Sequence, residues 1–228
     1  MPNWCFTDII IHGPEAEIKN LYNKITEFTS HNAKENDFGL KWLGNVVMNA
    51  GFLRSDEDEE NGFACRGWLD YCKIESSNKL HIQTETAWGP TNKIWLALIK
   101  KYSPNCKFHY CAEEPGCCVY EIFEDETDTE KFYDYDYYLD SYLHDREPNL
   151  KKEEIDFLLN FIEERYWKAD ELLKMINEFQ ISQNKNTIQE SELEQFFEEY
   201  NDKLQGENNY IMAYRFEKLT VDELNEKN

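Results

Sequence analysis

At 228 residues the chain has room for one large domain or a domain with an appendage, and its 41% apolar and 15% aromatic residues suffice for a buried core. No stretch is apolar for long enough to span a bilayer, so no membrane-crossing helix is expected. The formal net charge of −22 repels phosphate backbones and anionic lipid and attracts basic surfaces; direct nucleic-acid binding is disfavoured and a basic protein partner favoured.

The opening "CFTDIIIHG" alternates and then becomes β-branched, which predicts a strand stopped by Gly13-Pro14. Trp4 and Cys5 then lead directly into a sheet, which would order the terminus. The start carries no basic run and Asp8 interrupts its apolar stretch, so a secretory leader is not expected. From Glu15 to about Thr29, Ile18, Leu21, Tyr22, Ile25 and Phe28 recur at helical spacing. "KWLGNVVMNAGFLRSDEDEENGF" reads as an irregular excursion ending in an acidic loop. "FACRGWLDYCKIES" and "KLHIQTETAW" predict two strands around a polar turn at Ser76-Ser77-Asn78, with Leu80, Ile82, Thr84 and Thr86 on one face. A helix opening near Pro90 presents Ile94, Trp95, Leu98 and Ile99 and ends before Pro104. "CKFHYCAEE" and "CCVYEIFED" predict two more strands about Pro115-Gly116. The order is β-α-β-β-α-β with an added strand, the split β-α-β pattern.

Residues 124–147 break it. Their first part is an acidic loop, and "FYDYDYYLDSY" reads either as an edge strand with one wet face or as a loop strapped down by tyrosines. Residues 149–181 carry the longest helical stripe, from Ile155 to Phe179, with Asn149 as N-cap and Glu153 and Glu154 suiting the helix dipole. Thr187 and Glu190 form a capping-box pair before a second helix with Leu193, Phe196, Phe197, Tyr200 and Leu204 inward and Gly206 at its end. "NNYIMAYRFEKLT" returns as a strand, and the last residues are expected to fray.

"MPNWC", a strand ending at Gly13, "TAWGP", a helix, and "KKYSPNCKFHYCAEEPG" with a closing strand resemble the YubB-type proteins with a ferredoxin-like domain, over residues 1–123. The chain departs from that pattern at Thr7, where the family usually has Asn, and in running on as "YEIFED" where it usually has Gly. The resemblance implies a ferredoxin-like fold and an accessory protein of a plasmid, phage or integrated element. It supplies no catalytic residues.

The expected fold class is therefore α+β. A ferredoxin-like antiparallel sheet with two covering helices spans 1–123, an acidic Tyr-rich segment 124–147, and a helical hairpin with a return strand 148–228. Cysteines 5, 65, 72, 106, 111, 117 and 118 are odd in number, which with no expected leader suits reduced thiols and a cytoplasmic setting. Cys106, His109, Cys111, Cys117 and Cys118 crowd into 13 residues, but no C-x-x-C occurs, and strand alternation sends Cys106 to the opposite face from His109 and Cys111. No metal or other cofactor is expected. A catalytic cysteine needs electropositive surroundings, and the chain is strongly acidic just beyond Cys117; no glycine-rich phosphate loop occurs either. A metal- or Cys-dependent hydrolase thus ranks low. An RNA-binding sheet would use Phe108, Tyr110 and Trp68 with Lys93, Lys100, Lys101 and Lys107 as a basic patch.

Charge distribution points elsewhere. Residues 1–112 carry a net −2, residues 113–147 a net −11 and residues 148–228 a net −9. Within the central run, Asp125, Glu126, Asp128, Glu130, Asp134, Asp136 and Asp140 are interleaved with Tyr133, Tyr135, Tyr137 and Tyr138. On a strand Asp134 and Asp136 would share a face about 7 Å apart, near single-strand phosphate spacing, and tyrosines supply interface area. The expected function is a non-enzymatic binding protein whose acidic ridge mimics nucleic acid toward a basic partner, with inhibition of a host defence effector as one setting. The alternative is a scaffold that oligomerises through the Ile155–Phe179 stripe.

Overall fold

A computed structural model describes residues 3–30, 38–142, 150–204 and 209–227; the expected cap Asn149 and stop Gly206 lie outside them. The fold is α+β. It divides into two compact units, residues 1–133 with 217–228, and residues 134–216. The chain leaves the first unit after Tyr133 and rejoins it at Glu217, so the units do not follow the expected boundaries at 123/124 and 147/148. Among the described residues no helix is long and apolar enough to cross a membrane.

The first unit begins with β1 (Trp4–His12), α1 (Glu15–Phe28), α2 (Leu43–Asn49), β2 (Gly67–Ser76), β3 (Lys79–Ala87), α3 (Asn92–Tyr102), β4 (Lys107–Glu114) and β5 (Val119–Glu124). These strands lie in the order β2-β3-β1-β4-β5, each antiparallel to its neighbours. Trp4 pairs with Ala87, which ties the start of the chain to the sheet as expected. Alternation sends Cys5, Thr7, Ile9 and Ile11 of β1 toward the helices, where Cys5, Ile9 and Ile11 join Ile18, Leu21 and Ile25 of α1 and Ile94, Trp95 and Leu98 of α3 in one buried cluster and Thr7 is buried beside them. Position 13, just beyond β1, requires glycine because a Cβ there would lie 2.8 Å from Cys106 Cα.

The stretch expected to be irregular contains α2, which buries Leu43, Val46 and Val47. At seven residues it is too short to show a clear period, and its Gly44 sits where a Cβ would come within 2.1 Å of the Trp42 ring. Three helices rather than two therefore line this side of the sheet.

Trp88 has φ +75° while 51% exposed. A bulky side chain in the left-handed region costs on the order of 1–2 kcal/mol, and the buried half of the indole offsets a similar amount. Trp88→Gly relieves the one and forfeits the other, and is expected to change the stability of the first unit by less than about 1 kcal/mol, read from amide hydrogen exchange in β1 and β3. A larger loss of protection would show that the indole contributes more than the backbone costs.

The second unit holds β6 (Tyr137–Tyr142), α4 (Lys152–Glu163), β7 (Tyr166–Trp167), α5 (Ala169–Ser182), α6 (Leu193–Asn201) and β8 (Tyr210–Arg215). Its sheet runs β7-β6-β8, all antiparallel. The tyrosine-rich stretch divides: residues 132–136 are irregular, and Tyr137–Tyr142 form the middle strand, paired with β8 along its length and with β7 at Tyr137 and Tyr138. The long helix expected over 149–181 is two helices, because β6 takes the backbone hydrogen bonds between them: Leu139 N–H donates to Arg165 C=O at 2.8 Å and Asp136 N–H to Trp167 C=O at 2.9 Å. Tyr166 and Trp167 are good strand formers, and pairing outweighs the helical period there. The expected capping box at Thr187 and Glu190 forms two residues later, where the Glu192 carboxylate accepts the Gln189 N–H at 2.7 Å.

The apolar stripe packs at home. Phe157, Leu158, Phe161, Leu172 and Ile176 join Tyr137, Leu139, Ile211, Phe196, Phe197 and Tyr200 in one core. The stripe therefore needs no second chain, which removes the argument for oligomerisation through it.

The return strand is split at Phe216. Beyond it, β9 (Glu217–Leu219) lies parallel to β5 and extends the first sheet to six strands. The last residues form α7 (Val221–Lys227), where fraying was expected. Thr220 and Glu223 make a capping box, the Glu223 carboxylate accepting Thr220 N–H at 2.7 Å and Thr220 Oγ1 accepting Glu223 N–H at 3.3 Å. Leu224 anchors this turn in the first core.

Candidate functional site

Alternation also decides what faces away from the helices. On β1 these residues are Trp4, Phe6, Asp8, Ile10 and His12; they meet His81, Gln83 and Glu85 of β3 and His109, Cys111 and Glu113 of β4. A sheet face left to water should be polar throughout, yet Ile10, His109 and Cys111 are buried. The cover is the chain itself. Residues 125–133 fold back across β1 and β4 as a strap.

Asp128 anchors the strap. Its Oδ2 accepts from His12 Nδ1 at 2.7 Å and from His109 Nε2 at 3.1 Å, and its Oδ1 accepts the Glu130 N–H at 3.1 Å. Glu124 Oε1 accepts the N–H groups of Phe132 at 2.8 Å and Tyr133 at 2.5 Å. The Tyr133 hydroxyl donates to Asp8 Oδ2 at 2.8 Å, and Lys107 Nζ donates to Thr127 Oγ1 at 2.6 Å. The Phe132 ring sits edge-on to His12 and His109, with centroids 5.6 and 4.8 Å apart.

These contacts set the charge states. Burial acts to raise the Asp128 pKa, but the Glu130 N–H and the His12 and His109 imidazoles together outweigh it and bring it down to about 2. Burial also opposes ionisation of Asp8, and His81, Gln83 and Tyr133 overcome it as hydrogen-bond donors, so its pKa is lowered. His81 lies between two carboxylates, Nε2 2.6 Å from Asp8 Oδ1 and Nδ1 2.8 Å from Glu75 Oε1, and the Asp8 hydrogen bond leads in raising its pKa. Burial first, then the nearby Asp8 charge, pushes the Tyr133 phenol well up, so it remains a neutral donor.

The residues of the predicted ridge fall in both units. Asp125, Glu126, Asp128, Glu130 and Tyr133 belong to the first unit, and Asp134, Tyr135, Asp136, Tyr137 and Asp140 to the second. Glu126 is exposed and Glu130 is exposed with Oε1 3.6 Å from His12 Nε2, but Asp128, with its side chain 5% exposed, is an interior anchor and Tyr133 is buried. In the second unit Asp134 pairs with Lys168, and Asp136 Oδ2 accepts the Ala169 N–H at 2.9 Å, capping α5. Asp136 thus acts in folding, not as half of a phosphate-spaced pair. Tyr137 is buried and donates to Glu190 Oε1 at 2.9 Å. Tyr135 is half-buried, its ring 4.9 Å from Tyr166, and Asp140 is half-buried opposite Met212.

The other candidates also separate. Phe108 and Tyr110 lie in the helix-side core, so they offer no surface for stacked bases. Of the proposed basic patch, Lys93 covers Phe63, Lys101 donates to Ala50 C=O at 2.6 Å, and Lys107 is held by the strap. Cys106 faces the helices while His109 and Cys111 face the strap, as alternation requires. Among the described residues no group of three or more His, Cys, Asp or Glu side chains is arranged to hold a metal ion. Burial raises the thiol pKa of Cys5 and Cys72 to about 12 and of Cys65 and Cys106 to about 11, the reverse of what a nucleophile needs.

Sequence reasoning missed Phe6, Asp8, His12, His81 and Glu85. The available signal was on β1 itself, whose outward positions mix aromatic, acidic, aliphatic and imidazole side chains where a wet face would be uniformly polar. No family model, curated protein or solved structure matches this chain.

Proposed function

We propose that the chain is a non-enzymatic binding protein that engages a basic protein partner from the strapped side of a ferredoxin-like sheet. The strand order β2-β3-β1-β4, antiparallel throughout, supports the ferredoxin-like assignment. The YubB-type resemblance adds the setting: an accessory protein of a mobile element, cytoplasmic, acting on a basic nucleic-acid-binding effector of the host. The observation that carries the reading is the strap. It holds Glu126 and Glu130 outward on backbone pinned by Asp128, Glu124 and Tyr133, in a chain of net charge −22. Preorganised carboxylates cost little ordering on association and steer a cation inward.

Reversal of the two exposed strap carboxylates, Glu126→Lys with Glu130→Lys, is expected to weaken binding of poly-lysine about tenfold at low ionic strength. The same net change on α6, Glu194→Lys with Glu198→Lys, is expected to cost less than threefold. Equal losses from both pairs would mean that only net charge matters, and the reading fails.

A further inference from the structure

We infer that Phe6, with Glu85 and Glu113, forms a seat for an arginine side chain of the partner, an inference that rests on the reading above. Phe6 is 55% exposed, although β1 lies inside the sheet with β3 on one side and β4 on the other. Its cross-strand neighbours are Glu85 on β3 and Glu113 on β4. Directly opposed side chains in antiparallel strands have Cβ atoms about 5 Å apart. The ring is therefore flanked by a carboxylate on each side. Glu85 is also opposite Trp68 on β2, whose ring contacts Trp4 with centroids 5.4 Å apart. Asp8, two residues along β1 and fixed by His81 and Tyr133, adds a third carboxylate on the same side.

The chemistry selects the occupant. An apolar partner that covered Phe6 would take charged carboxylates at the ring's edge out of water, which is costly. A nucleic acid stacking on the ring would bring phosphates toward three carboxylates. A guanidinium meets both needs: its plane stacks on an aromatic face while its N–H fork donates to carboxylates at the ring's edge. Lysine offers a point charge without the planar fork, so arginine is preferred. The partner is thus a protein that presents arginine on its surface.

The test uses the full chain with fluorescently labelled deca-arginine and deca-lysine peptides, read by anisotropy. The expected result is tighter binding of deca-arginine, a loss of about tenfold for deca-arginine in Phe6→Ala and Glu85→Gln, and collapse of the arginine-over-lysine preference in both. Phe6→Tyr keeps an aromatic face and is expected to retain both affinity and preference. Because Phe6 is exposed, its replacement leaves the core intact, which circular dichroism checks. If both peptides bind but these variants change neither affinity nor preference, the seat is overturned while the broader reading stands. If neither peptide binds, the broader reading falls with it. A single-stranded oligonucleotide that binds in a Phe6-dependent manner, or a dimer that Phe6→Ala dissociates, would assign the surface to another occupant and overturn the inference.

Discussion

Asp128→Ala is expected to release the strap and to cost the first unit about 3 kcal/mol, since removing one partner of a buried charged hydrogen-bond network leaves the others unpaired. Two imidazoles from different strands converge on the same Asp128 oxygen, so one substitution removes both histidine links of the strap, one to β1 and one to β4. The local readout is Cys111, buried on the strapped side beside Tyr133. In the native protein a thiol reagent should reach Cys117 and Cys118 and leave Cys111 protected; in Asp128→Ala, mass spectrometry should find Cys111 labelled as well. Asp128→Asn keeps the shape and one acceptor and should fall between. The pH dependence follows from the lowered carboxylate pKa. The stabilisation by Asp128 is complete above its ordinary value near 3.8 and is lost as pH falls through about 2. His81 acts in the opposite sense: its raised pKa means that its contribution is complete below about 6.5 and fades as pH rises through the higher folded value. Protection of Cys111 that survives in Asp128→Ala would show that Phe132 and Tyr133 hold the strap alone.

Phe161→Ala is expected to cost the second unit about 3–5 kcal/mol. Phe161 is fully buried, and its ring makes edge contacts with Phe157, Trp167 and Phe197 at centroid distances of 5.1, 5.9 and 5.5 Å. Those residues come from α4, β7 and α6, so the cavity would open where three elements meet. Exchange of the β6 and β8 amides reports the loss directly and needs no assumption that the whole chain unfolds in one step. A cost below about 1 kcal/mol would mean that the neighbouring rings collapse into the space.

Much of the first unit was legible in order along the chain. β1, α1, β2, β3, α3, β4 and β5 follow from period and punctuation, because each buries one face in a single core and is bounded by glycine, proline or a polar turn. Legibility failed where a segment's partner is remote in sequence. Residues 164–168 continue a helical stripe, yet β6 and the residue just before it take their backbone hydrogen bonds, Leu139 pairing with Arg165 and Asp136 with Trp167, from far back along the chain. The Thr220/Glu223 capping box was readable and overlooked, since the chain end was expected to fray.

The candidate site divides in the same way. Composition alone established an acidic protein with a charge-dense, tyrosine-rich middle, and alternation was enough to put Phe6, Asp8, Ile10 and His12 on one side of β1, although sequence reasoning did not draw that face. Only the tertiary structure decided which carboxylates are outward and which are internal. Asp128 and Asp136 have the same side chain in the same acidic run, but one meets two histidines brought together by strand pairing and the other meets the open N–H of a helix start. Local pattern determines which face a residue occupies, whereas burial of a charge depends on compensating donors, and apart from the neighbouring Glu130 N–H the donors here come from segments more than 15 residues away.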